Sequence, residues 1–140
     1  MTKQETVKLL ALIKIAYPTA YRDLDDVSKT ATVNMWQVSF PDVPYQLMES
    51  AFNHFRMRSK FPPTVAEMVE ELRNMHYQAT EMALICKSVG AEEMVKHHQA
   101  IMRATWRFKD MDSYWGQVNG FDMPMIGGVD NAHLGLPGTE

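Results

Sequence analysis

Apolar residues recur at helical spacing along most of this chain, and the gaps between the stripes hold capping residues and prolines. Val7, Leu10, Ile13 and Tyr17 form a first stripe, while Leu9, Leu12, Ile15 and Ala16 fill the other face. A helix apolar on both faces is expected at the centre of a bundle. Thr2 and Glu5 have the spacing of a capping box, and Pro18 ends the pattern. A second helix is predicted to start near Asp23 to Asp26, whose carboxylates suit the positive end of a helix. Leu24, Val27, Ala31, Met35 and Val38 supply its stripe, with Trp36 and Phe40 beside it. Asp42 and Pro44 signal a third helix, which presents Leu47, Met48, Ala51, Phe52 and Phe55.

Next comes the stretch RMRSKFPPTVAEMVEEL, residues 56–72. Two prolines impose an extended connection, and Thr64 with Glu67 repeats the capping-box spacing. This reads as a rigid joint between helices, with Phe61 packed into the core. Beyond it, Met68, Leu72, Met75, Ala79, Met82, Cys86 and Val89 alternate steps of four and three. That is an a/d seam able to meet another helix in cis or in a second copy. Gly90 interrupts the seam, and Met94, Val95, His98, Ile101, Met102 and Thr105 continue a helical pattern to about Arg107. The periodicity leaves open whether residues 65–107 are one helix or two. No strand or hairpin pattern is present in the sequence. The expected fold is all-α: a small N-terminal helical bundle, a long helix or helix pair, and a loosely structured C-terminal tail.

Composition narrows the function. The 140 residues carry a net charge of −3, with 22% charged and 46% hydrophobic residues, so the chain has the means to fold and no global basic field to hold it on DNA. One cysteine excludes an internal disulfide framework, no apolar run reaches membrane-spanning length, and the N-terminus lacks a signal-peptide pattern. A cytoplasmic protein is expected, with no membrane partner. Charge breaks near Lys109. Residues 1–73 hold nine basic and nine acidic residues, whereas residues 109–140 hold one and five, together with most of the glycines. This gives three segments: a domain over 1–72, an arm over 73–108 continuing the helix begun at 65, and an acidic, aromatic tail over 109–140. Tyr114, Trp115, Phe121, Met123 and Met125 stand in that tail as candidate partner anchors, or as residues that fold back on the chain's own helices.

Candidate chemistry is sparse. The sequence has no GxxxxGK[ST], GxGxxG, HExxH or GxSxG motif. His97 and His98 have no carboxylate or histidine four residues on, so no metal or cofactor is expected. Cys86 falls on the apolar seam, where a thiol is inert. The paired carboxylates Asp25-Asp26, Glu70-Glu71 and Glu92-Glu93 lie in or near first helical turns, which helix electrostatics explains without acid–base catalysis. No enzyme is expected. Arg56, Arg58 and Lys60 form a basic patch that could touch phosphate, but three charges give only weak, salt-sensitive DNA binding. Met68, Leu72, Met75 and Met82 mark the seam through which a homodimer would form.

The N-terminal half carries a resemblance. MTKQE with an apolar helix ending in Tyr17-Pro18, Trp36 in the second helix, Tyr45 opening the third, and Lys60-Phe61-Pro62-Pro63-Thr64 come in an order that resembles the phage replicative-helicase loader and inhibitor family of Gram-positive phages. The resemblance covers about residues 1–72. It implies an all-helical DNA-replication protein without ATPase activity, which binds a hexameric replicative helicase of phage or host, inhibits it and delivers it to the origin. The phage origin-binding initiator is then a second partner. In that family the C-terminal region makes the helicase contact. Two other readings stand beside it: a small DNA-binding regulator using Arg56, Arg58 and Lys60, and a dimerisation adaptor built on the seam.

Overall fold

A computed structural model of the chain describes residues 1–109. Every regular element among them is helical: α1 (Lys3–Ala16), α2 (Asp26–Ser39), α3 (Tyr45–Arg56), α4 (Val65–Ser88) and α5 (Glu92–Thr105), followed by a 3-10 turn over Trp106–Phe108. The residues group into two compact units, Met1–Glu71 and a second beginning at Leu72. The expected C-terminal tail lies outside the described residues.

In the first unit the caps set the helix boundaries. The Thr2 hydroxyl accepts the Glu5 amide at 3.1 Å while the Glu5 carboxylate accepts the Thr2 amide at 3.0 Å. Asp25 accepts the Ser28 amide at 2.7 Å and starts α2, and these bonds hold the Glu5 and Asp25 carboxyls below their ordinary pKa. Pro44 opens α3, where its missing N–H costs no hydrogen bond. The ammonium of Met1 turns inward and donates to the carbonyls of Phe40, Pro41 and Val43 at 3.0, 3.1 and 2.9 Å. It thereby ties the start of α1 to the α2–α3 connection.

α1 packs against both α2 and α3. Leu9 and Ile13 from α1, Trp36 and Phe40 from α2, and Met48, Ala51, Phe52 and Phe55 from α3 are buried, joined by Met68 at the start of α4. Tyr17 meets Phe52 edge-on, with ring centroids 6.3 Å apart.

Two expectations change here. α1 is not apolar-buried all round: Val7 and Ile15 are exposed, because α2 and α3 cover only the Leu9–Ile13 side. α2 turns its other stripe inward. Val27 and Val38 are each 78% exposed and Met35 is exposed too, while Trp36 and Phe40 are buried. A helix packed on one side buries one stripe, and two aromatic rings remove more apolar area from water than valine and alanine do.

In the second unit, α4 ends at a Schellman cap. Gly90 takes a left-handed φ of +75°, its N–H donates to Lys87 O at 3.2 Å, and the Ala91 N–H reaches back to Cys86 O at 2.9 Å. Residues 65–107 are therefore two helices. α5 and the 3-10 turn hold to α4 through polar as well as apolar contacts. Buried His76 Nδ1 lies 3.0 Å from Thr105 Oγ1, and the His76 ring stands edge-on to buried Trp106 at 5.7 Å. Arg73 Nε donates to Phe108 O at 3.1 Å.

Candidate partner-binding site

The joint between α3 and α4 is held by side-chain bonds along its length. Arg58 reaches across it to Glu71, whose side chain is only 3% exposed. The guanidinium binds the carboxylate with both nitrogens, Nη1 to Oε1 at 2.9 Å and Nη2 to Oε2, a fork matched to a carboxylate. That bonding raises the Arg58 pKa above its ordinary value. Tyr17 Oη donates to Ser59 O at 2.9 Å, fixing the middle of the loop to the end of α1. Ser59 Oγ accepts the Phe61 amide at 3.2 Å and donates to the Phe61 carbonyl at 2.9 Å. Thr64 and Glu67 complete the expected capping box, amide to side chain in both directions, at 3.0 and 3.1 Å.

Phe61 does not pack into the core. It is 76% exposed, and Pro63 is the buried apolar residue of the joint. Ser59 holds the Phe61 backbone on one side and two prolines follow on the other. Met57, the residue capping α3, is 80% exposed beside this loop.

The candidate phosphate residues separate accordingly. Arg58 is committed to Glu71, Arg56 Nε donates to Asn53 Oδ1 at 2.9 Å, and Lys60 is exposed. Arg58 braces the fold here. Replacing it by methionine strands a buried carboxylate. Because the guanidinium is half-exposed, the expected loss is about 2 kcal/mol rather than the 3–5 kcal/mol of a fully buried pair. A urea unfolding curve of Arg58→Met against wild type checks this, and restoration by Arg58→Met with Glu71→Leu is expected.

The seam keeps Ala79 and Cys86 past Leu72 but changes at Met75, at Met82 and at its end. Met68 and Leu72 are buried and Met75 is half-buried, but the inner row continues through His76, Ala79, Ala83 and Cys86. Met82 is 40% exposed and Val89 lies outside, so Ala83 replaces Met82 in the seam. Alanine and cysteine on that row allow close approach, while the larger methionine stays at the edge. Cys86 is a free, buried thiol.

His97 and His98 touch edge-on at 5.1 Å, and partial burial beside His97 lowers the His98 pKa. Among the described residues, no group of three or more His, Cys, Asp or Glu side chains is placed to hold a metal ion. None of their helices is long and apolar enough to cross a membrane. The tail candidates Tyr114, Trp115, Phe121, Met123 and Met125 lie outside the described residues.

This cap-defined bundle and its proline joint coincide with a known domain: residues 1–69 match the family of the N-terminal domain of the phage SPP1 helicase loader/inhibitor. Residues 1–69 belong to this loader/inhibitor family. The match ends inside α4, two residues before the first compact unit does. No curated protein and no solved structure matches the chain. The loader-family domain therefore accounts for the bundle and the exposed Phe61 loop, with the Glu71 end of the Arg58 brace two residues past its edge.

Proposed function

We propose that this protein binds the hexameric replicative helicase of its phage or host, restrains it, and delivers it to an origin marked by the phage initiator. It acts by binding alone. Membership of residues 1–69 in the loader/inhibitor family carries this reading. Absence of a GxxxxGK[ST] phosphate cradle from the sequence agrees with a loader that borrows the helicase's nucleotide chemistry. The engagement of Arg58 by Glu71 favours a protein partner over DNA, since it removes one of three cations from the basic cluster at the joint. Tyr114, Trp115, Phe121, Met123 and Met125 remain the proposed anchors of the C-terminal contact.

The test is helicase ATPase turnover. Adding the full chain in equimolar amount is expected to suppress turnover several-fold. A chain ending at Lys109 is expected to leave turnover unchanged while keeping the circular-dichroism signature of its five helices. Unchanged turnover with the full chain contradicts the inhibitory role, and full suppression by the shortened chain contradicts the tail anchors.

A further inference from the structure

The joint holds two large apolar side chains out in water on a backbone that has little freedom to withdraw them. Phe61 is 76% exposed and Met57 80%. A lone exposed apolar residue is ordinary on a protein surface. This pair differs in how its backbone is held. Ser59 bonds both the N–H and the C=O of Phe61, Tyr17 bonds Ser59, Arg58 binds buried Glu71, and the capping box at Thr64 closes the other end. Pro62 and Pro63 remove two further backbone freedoms. Ordering cost has thus been met in the free protein, and a partner gains the burial of Phe61 with little entropy to offset it. Aromatic, methionine and arginine side chains are the types enriched at the buried centres of interfaces.

Charge along the joint points to the partner's chemistry. Lys60 precedes Phe61 and is exposed, and Arg56, held by Asn53, lies at the end of α3. Glu67 is turned to Thr64, Glu71 is neutralised by Arg58, and exposed Glu70 also acts on Arg58. That leaves Lys60 and Arg56 as the cations of the joint not bound to a carboxylate in any described contact. Two cations are too few for appreciable nucleic-acid affinity, but they suit a rim of carboxylates.

We propose that Phe61 and Met57, flanked by Lys60 and Arg56, form a pre-set docking knob that enters an apolar pocket rimmed by carboxylates on the replicative helicase. This rests on the helicase-loader reading and adds a contact in the N-terminal domain to that of the C-terminal segment. Two weak contacts on one chain raise overall affinity through effective concentration, so losing the knob weakens the complex without abolishing it.

The experiment titrates helicase, of phage and of host, with ATP present, into the fluorescently labelled full-length chain as wild type, Phe61→Ala, Phe61→Trp and Lys60→Glu. Phe61→Ala and Lys60→Glu are expected to weaken the complex by about tenfold or more, and Phe61→Trp to retain it. All three should melt with the wild type, because the replaced side chains lie in water. Equal binding by wild type and Phe61→Ala overturns the knob and leaves the loader reading standing. A lowered melting point in Phe61→Ala overturns it too, by showing a packing role. Failure of the wild type to bind either helicase removes both proposals. A parallel titration with a labelled thirty-nucleotide oligothymidine completes the set. Loss of that binding in Phe61→Ala with helicase binding intact overturns the knob in favour of a single-stranded nucleic-acid contact, in which the ring would stack on bases.

Discussion

Trp36→Ala is expected to unfold the first unit or bring it to the edge of unfolding. Trp36 is 2% exposed, leans on Phe40 with ring centroids 5.9 Å apart, and is the largest side chain of that unit's core. Removing a buried tryptophan costs about 3–5 kcal/mol, through lost burial and the cavity left behind. A small domain holds only about 5–15 kcal/mol in total, so the loss is most of the margin at the lower end. The site cannot collapse readily. Leu9, Ile13 and Met48 are fully buried, and the Met1 ammonium fixes the Phe40 carbonyl next to the cavity. Urea unfolding followed by circular dichroism should show the midpoint fall steeply or the cooperative transition vanish. Val38→Ala, on the exposed stripe of the same helix, should change stability by no more than about 0.5 kcal/mol. Equal losses for the two variants would mean that the outward stripe of α2 is the buried one.

Acidification between pH 6.5 and about 4 is expected to remove about 3 kcal/mol from the second unit. Burial is the main cause that pushes the His76 pKa down to about 4 from its ordinary 6.5, helped by the Lys109 charge and opposed by a backbone hydrogen bond at Met102. The folded state therefore keeps His76 neutral while the unfolded chain binds a proton below pH 6.5. Stability from this residue is complete above pH 6.5 and falls as pH drops toward 4, where the folded form is protonated as well. A shift of about 2.5 pH units corresponds to roughly 3 kcal/mol. Thr105 Oγ1, which donates to Ile101 O at 2.7 Å, lies 3.0 Å from His76 Nδ1, so the ring is held in place beside a hydroxyl. A His76→Gln chain should lose the steep part of the pH dependence, whatever its stability at pH 7. Parallel stability–pH curves for His76→Gln and wild type would show that other groups control the acid response.

Helix existence and helix ends were legible because they rest on local chemistry. Thr2 with Glu5 and Thr64 with Glu67 each act within three residues, and Pro18 and Pro44 punctuate the backbone directly. Periodicity leaves the break at Gly90 open, and its left-handed φ decides it. Choice of face was less legible. α2 carries two apolar rows, and only the position of α1 decides that Trp36 and Phe40 turn inward. The same holds for α4, where Met82 and Ala83 compete for one row and the alanine lies on it. His76 in the seam depended on a hydroxyl 29 residues away, which no periodicity announces.

The candidate site divides in the same manner. The joint was readable from its prolines and cap, yet the exposure of Phe61 was not, because an apolar residue beside two prolines suits a core and a surface position equally well. The basic cluster read as three equivalent cations until Glu71, 13 residues from Arg58, took one of them. Family likeness reached further than periodicity here, since the order of Tyr17-Pro18, Trp36, Tyr45 and Lys60-Phe61-Pro62-Pro63-Thr64 encodes the whole bundle at once.

The central claim is that this chain forms a complex with a replicative helicase. Size-exclusion chromatography with light scattering, on the full chain mixed with the helicase hexamer and ATP, tests it most directly. The account predicts one co-eluting species heavier than the hexamer by a whole number of 16.1 kDa chains. Separate elution of the two proteins, with phage and host helicases alike, would contradict it.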